Sequence, residues 1–150
     1  MPNYQPRLSD RQYPATAAEC IDDSLRYQRA TLQALADFRA CRPWRGTMAE
    51  RMEKFRRLHA ELCRIYGTDP LLGFDSLNER FCSGGSYYMP STHSIQLSGR
   101  LSVVTYLHEF AHALGRGERG AVRWSLNLFK RTFPRSFARL EFEGHVARRM

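Results

Sequence analysis

The chain has 150 residues and 43% hydrophobic content, which suits one compact domain with a real core and excludes a disordered chain. No run approaches the roughly 18 apolar residues of a membrane span, and the opening MPNYQPRLSDRQYP lacks the apolar stretch of a secretory signal, so the expectation is a cytoplasmic protein without a membrane partner. The net charge of +8 is carried by arginine apart from Lys54 and Lys130, with no block of five or six and no zinc-finger, RRM or P-loop pattern; a nucleic-acid partner stays an alternative and does not lead.

Residues 1–15, with Pro2, Pro6 and Pro14, read as an extended arm, and 16–150 as a single domain. From Thr16 to Ala40 the spacing of Ile21, Leu25, Leu32, Leu35, Ala36 and Phe38 predicts an amphipathic helix. Arg42-Pro43 and Gly46 break it. Thr47-Met48-Ala49-Glu50 has the form of a capping box, and Met48, Met52, Phe55, Leu58, Leu62 and Ile65 predict a helix over 48–66 that Gly67 and Pro70 end.

Residues 71–100 change character. Glycines and Pro90 punctuate short aromatic and β-branched runs, so Phe81, Tyr87-Tyr88 and Ile95-Gln96-Leu97 are predicted strands of a small sheet. His93 to Leu97 alternates as an edge or half-buried strand does. A helix follows from Leu101 to Leu114, stopped by Gly115-Arg116-Gly117, then another from Glu118 to Arg131, and the tail from Pro134 is expected to form one more short helix. The fold class is therefore α+β: N-terminal helices, a small antiparallel or mixed sheet, and C-terminal helices. Cys20, Cys41, Cys63 and Cys82 form no CxxC pair, which argues against a cysteine-only zinc ribbon and leaves four ordinary thiols.

The chemistry sits in TYLHEFAHALGRGERGAVRWSLNLF, residues 105–129. His108 and His112, four apart on a helix, project from one face and can give two nitrogens to one metal; Glu109, about 100° round, lies beside the metal and can take a proton from a water on it. Two satisfied structural histidines are the competing reading. The motif's three fixed positions arise by chance at about one site in thirty thousand, which favours zinc. On the wheel, Val103, Val104, Leu107, Phe110, Ala111 and Leu114 form one sector, with both histidines at its border.

A catalytic zinc takes three protein ligands and keeps one position open. After the reversal at Gly115-Arg116-Gly117, Glu118 is the next side chain able to ligate. It shares a helix face with Ala121, Val122, Ser125, Leu128 and Phe129, which should pack inward and carry it toward His108 and His112. An exposed glutamate favoured by the helix dipole is the alternative. Glu141, Glu143 and His145 are reserve ligands, with Asp75 behind them.

LHEFAHAL resembles the active-site helix of the zincin metallopeptidases, and HSIQLS resembles the strand bordering their substrate cleft; the resemblance spans about residues 84 to 130. His108 to Glu118 also reads HExxHxxGxxE, similar to the metzincin motif, but the methionine turn that branch needs has no counterpart before Met150. ERGAVRW is similar in kind to the third-ligand helix of the glutamate zincins, including small ImmA/IrrE-type and other phage- or plasmid-associated peptidases, although the gap from His112 to Glu118 is short. SprT-like peptidases share the plan without a recognisable third ligand here. The resemblance implies a zincin-like domain over 16–150, peptide-bond hydrolysis of a protein or peptide substrate, Glu109 as general base and a donor for the oxyanion. Tyr87, Tyr88, His93, Arg119 and Arg123 are the candidates for that donor. In a domain this small, a partner protein or the N-terminal helices could supply recognition. A non-catalytic zinc-stapled binding module is the second reading, and a basic nucleic-acid-associated regulatory protein the third; an intact Glu109 favours the enzyme.

Overall fold

The computed structural model describes residues 17–75, 85–99, 101–143 and 146–149, the last seven of residues 141–143 and 146–149 by backbone alone. The expected arm over 1–15, the strand at Phe81, Cys82 and His145 lie outside the described residues. A single 3-10 turn, Ala18–Cys20, comes first; then α1 Arg29–Ala40, α2 Met48–Tyr66, β1 Leu71–Phe74, β2 Tyr87–Met89, β3 Ser94–Leu97, α3 Val103–Ala113, α4 Glu118–Thr132, α5 Pro134–Ala138, β4 Leu140–Glu143 and β5 Val146–Arg149. The architecture is α+β.

The helix predicted from Thr16 begins only at Arg29. Asp22 accepts from the main-chain N–H and the hydroxyl of Ser24 at 3.0 and 2.6 Å, a local turn that competes with helical hydrogen bonding. Asn127, buried on α4, accepts from the Asp22 N–H at 2.7 Å and donates to the Cys20 carbonyl at 2.9 Å. Ion pairs of Arg123 with Asp22 and of Lys130 with Asp23, each at 2.7 Å, run alongside. The segment around Ile21 is therefore held extended along α4 by partners a hundred residues away, which periodicity does not register.

Helix α2 starts and ends where its residues require. Thr47 Oγ1 accepts from the Glu50 N–H at 3.1 Å and Glu50 accepts from the Thr47 N–H at 3.0 Å, so the capping box is complete. Gly67 closes the helix at φ 63, left-handed backbone that costs a glycine least.

The small sheet is mixed, in the order β1-β3-β2, with β1 parallel and β2 antiparallel to β3. Strand β3 is thus central, not an edge, although it is half-buried as its alternation predicts: Ile95 and Leu97 are buried, Ser94 and Gln96 partly so. Register puts Leu72, Phe74 and Tyr88 on the same face as Ile95 and Leu97, and that face packs on α3. Strand β1 has no counterpart in the sequence reading. Leu71 is 70% exposed and Gly73 interrupts the run, so Leu71 to Phe74 lacks both alternation and β-branched residues. The tail holds the short helix α5 but then turns to the antiparallel pair β4 and β5; Leu-Glu-Phe-Glu over 140–143 alternates with period two, which a helix cannot use.

One apolar cluster draws on every element that positions the motif: Leu35 and Phe38 of α1, Phe55, Leu58 and Leu62 of α2, Ile95 and Leu97 of β3, Tyr106, Leu107, Phe110 and Ala111 of α3, and Trp124 and Leu128 of α4. Rings interlock through it edge to face, Phe38 on Phe55 at 5.1 Å and Phe55 on Tyr106 at 5.8 Å.

His59, 8% exposed, ties α2 to α3. Its Nε2 lies 2.6 Å from the Pro70 carbonyl oxygen, which can only accept, so Nε2 carries the proton; Nδ1 then accepts from the Tyr106 hydroxyl at 2.7 Å. Burial lowers the His59 pKa below 6.5, against the pull of the Pro70 carbonyl. The unfolded chain therefore takes up a proton that the folded chain resists. The neutral ring's contribution is complete above about pH 6.5 and is lost as the pH falls, with a limiting slope of about 1.4 kcal/mol per pH unit. In a His108→Ala, His112→Ala background, which removes the other histidine pair, urea midpoints between pH 7.5 and 5 should drop steeply with His59 present. In His59→Gln the same series should be flatter; equal slopes would assign the acid sensitivity elsewhere.

Candidate metal centre

Helix α3 is capped by Ser102, whose Oγ accepts from the Thr105 N–H at 3.3 Å. Tyr106, Leu107, Phe110 and Ala111 are fully buried, and Glu109 is 8% exposed. The buried sector is thus rotated from the one the wheel marks: Val103, Val104 and Leu114 are only partly buried, and Tyr106, absent from that sector, is fully buried. Tyr106 and Phe110, one turn apart, were the aromatic signal for it.

After Ala113 the chain reverses at Gly115, φ 93, with the Arg116 N–H returned to the Ala111 carbonyl at 3.1 Å. Helix α4 then starts at Glu118 and packs against α3 more extensively than any other pair of elements touches. Ala121, Val122, Ser125, Leu128 and Phe129 are buried as their spacing predicts. Trp124, Leu126 and Asn127 are buried as well: Trp124 packs on Tyr66 and Phe110, Leu126 on Ala17 and Cys20, and Asn127 bonds the Cys20 carbonyl.

The reversal brings three side chains to one point. His108 Nε2 lies 3.1 Å from His112 Nε2 and 2.8 Å from Glu118 Oε1, and His112 Nε2 lies 3.7 Å from Glu118 Oε2. Among the described residues this is the one group of three histidine, cysteine or acidic side chains whose ligand atoms all come within 4.8 Å, and it could hold a metal ion. A tetrahedral ion with bonds of about 2.05 Å separates its ligands by about 3.3 Å, and the three distances straddle that figure.

The protonation pattern points the same way. His112 Nδ1 is 2.8 Å from the Arg116 carbonyl oxygen, so Nδ1 donates and, in the neutral ring, Nε2 presents its lone pair to His108 and Glu118. Burial alone would push the Glu118 carboxyl up; the hydrogen bonds from His108 and His112 outweigh it and hold the carboxyl well below the usual range. Burial lowers the His112 pKa, but Glu118, the Arg116 carbonyl and Glu109 reverse this and leave it raised. The trio is a partly desolvated, hydrogen-bonded group in which the carboxylate is the charged centre.

Burial pushes the Glu109 carboxyl up, while His108 and His112 pull it down and Glu118 pushes it up again. The Tyr88 main chain is near enough to this carboxylate to pull it down a little, and β2, an edge of the three-stranded sheet among the described residues, packs on α3 beside the site. Both β2 and the HSIQLS strand, β3, pack on α3; β2 is the outer of the two and β3 lies one strand further in.

The oxyanion candidates separate. The Tyr88 hydroxyl is bonded to His93 Nδ1 at 2.7 Å, and His93 Nε2 reaches Thr68 Oγ1 at 3.2 Å and Asp69 at 3.6 Å, so both rings serve the sheet's turn. Arg119 and Arg123 are exposed, Arg123 on Asp22. Tyr87 lies on the opposite sheet face from Tyr88. Asp75 follows β1 and is not among the three converging side chains; Glu141 and Glu143 lie on β4. Cys20, Cys41 and Cys63 are free thiols.

No helix among the described residues is long and apolar enough to cross a membrane. Comparisons with protein-family models, with curated proteins and with solved structures returned no match to this chain.

Proposed function

We propose that the chain is a zinc-dependent metallopeptidase of the zincin kind, with His108, His112 and Glu118 as metal ligands and Glu109 as general base. The observation that carries this is the convergence of two imidazole nitrogens and a carboxylate at 2.8 to 3.7 Å. Three such groups stay this close only when a proton or a metal ion sits among them, and they offer a metal ion a ready ligand set once the histidines are neutral. Two nitrogens and one oxygen suit zinc, and three ligands leave a position open, as catalytic sites do and structural sites do not.

When bound, zinc supplies Lewis acidity, lowering the pKa of a coordinated water to about 7. The chain's own groups do the rest. The Arg116 carbonyl fixes the His112 tautomer. Glu109, nearly buried and with its carboxyl pushed up by that burial, takes the proton from water and returns it to the leaving amine. Among the described residues β2 is an edge strand, and such an edge can offer main-chain donors and acceptors to an extended peptide.

Purified chain should contain one zinc ion per molecule by elemental analysis and cleave members of a mixed peptide library, read by mass spectrometry. The His108→Ala, His112→Ala double variant should contain none. Glu118→Ala should bind zinc more weakly by over about a hundredfold, the upper end of what outer-shell partners cost. Stoichiometric zinc in the double variant would place the metal elsewhere, and unchanged affinity in Glu118→Ala would remove Glu118 from the ligand set.

A further inference from the structure

A second site lies away from the metal centre, at the end of the molecule where α1 and α4 both terminate. There a hollow of about 650 Å³ is lined by Arg39, Arg42, Arg131 and Trp44 together with the apolar Leu32 and Ala36, with no acidic residue among its lining. That volume falls within the roughly 300–1,000 Å³ of small-ligand sites.

Helix C-termini attract cations for their own sake. Arg39 fits that account, donating to the Thr132 carbonyl at 3.5 Å; Arg131 is held instead by the Leu25 and Asp23 carbonyls at 3.1 and 3.5 Å and lies over the Tyr27 ring at 5.8 Å. Arg42 and Trp44 do not fit it, because they stand on the loop between α1 and α2. Trp44 is 51% exposed, whereas the chain's other tryptophan, Trp124, is 4% exposed.

The loop is built to hold them there. Arg42 adopts φ 53, a left-handed conformation that costs a non-glycine residue and persists only where the surroundings enforce it. The enforcement is visible. Lys54 Nζ donates to the Arg42 and Arg45 carbonyls at 3.0 and 2.9 Å, and Arg51 Nε donates to the Pro43 carbonyl at 3.0 Å. Pro43, between the two outward residues, is fully buried. An anchored loop thus presents an indole and a guanidinium to solvent without needing to order them on binding.

The geometry points to a nucleoside phosphate as the ligand, its base stacked on Trp44 and its phosphate held by Arg42 with Arg39 and Arg131. A flat aromatic face rimmed by guanidinium groups is the chemistry that sequence-tolerant nucleotide recognition uses, and the chain's charge of +8 favours such an anion at long range. An acidic peptide would use the arginines but leave the exposed indole without a stacking partner. The phosphate could belong to a free mononucleotide or to one residue of a single strand.

The test titrates the full chain at low salt with adenosine monophosphate and, separately, with a ten-residue oligothymidylate, following tryptophan emission. Trp44 should be quenched while buried Trp124 is not. Quenching by the strand alone assigns the site to single strands; equal affinity for both assigns it to the free nucleotide. Anisotropy of the labelled ligand then compares variants: Trp44→Ala should weaken binding about tenfold or more, Trp44→Phe should retain most of it, and Arg42→Asn, which tolerates the left-handed backbone, should weaken it and flatten its salt dependence. All three should keep the parent's zinc content, so this result stands or falls apart from the metallopeptidase reading. No binding of either ligand at millimolar concentration, unchanged affinity in Trp44→Ala, or polyglutamate binding as tightly as the strand through the same residues would overturn the assignment.

Discussion

Glu109→Gln should bind zinc as tightly as the parent chain and hydrolyse peptides about a hundred to ten thousandfold more slowly, the range that a positioned general base contributes. The substitution keeps the volume of the side chain and an acceptor oxygen, so the 8% exposed environment is preserved and only the ionisable group is lost. Glu109 is not among the three converging ligand atoms, which is why metal content and rate should part company. The paired measurement is zinc per chain and kcat on one cleaved peptide. A structural metal site has no use for a base at this position, so parental kcat in Glu109→Gln would sink the proposed mechanism. Loss of zinc together with rate would instead make Glu109 part of the ligand shell.

The second large effect is on stability. Phe110 is fully buried one residue after Glu109 and touches four rings: His59 and Tyr66 at 5.9 Å, Tyr106 at 6.0 Å and Trp124 at 6.1 Å. These belong to α2, α3 and α4, so the side chain fastens the motif's helix to both neighbours. Phe110→Ala removes its apolar burial and leaves a cavity, at a cost of about 3–5 kcal/mol. For a domain of this size each kcal/mol lowers Tm by about 2–4 °C, so a fall of roughly 10 °C is expected in a thermal scan. Phe110→Leu should fall much less. A shift below about 3 °C in Phe110→Ala would show that the motif's helix is held by other contacts.

The elements that were legible share one property: their causes are local. The Thr47 and Glu50 capping box, the left-handed Gly67 and the inward stripe of Ala121, Ser125 and Leu128 depend on neighbours within a few residues. The departures have distant causes. Ile21 and Leu25 have helical spacing, but Asn127 on α4 holds that segment extended. Leu71 to Phe74 becomes a strand because Ser94 to Leu97 is there to pair with it. The Leu140 to Glu143 alternation was readable as a strand and was overridden by the expectation of a helical tail.

The same division runs through the candidate site. Spacing on one helix determined that His108 and His112 share a face and that Glu109 stands beside them, because a turn of helix is a fixed length whatever surrounds it. Spacing could not determine that Glu118 would lie 2.8 Å from His108. That depended on the hydrogen-bonded reversal at Gly115 and on the packing of α4 against α3, both set by the core around Tyr106, Phe110 and Trp124. Nor could it determine that β2 would bring the Tyr88 main chain near Glu109, since strand order is a property of the sheet and not of any one strand. Residue types and local period belong to the sequence; the meeting of side chains from separate elements belongs to the tertiary fold, because it is the burial of their apolar faces that decides which elements touch.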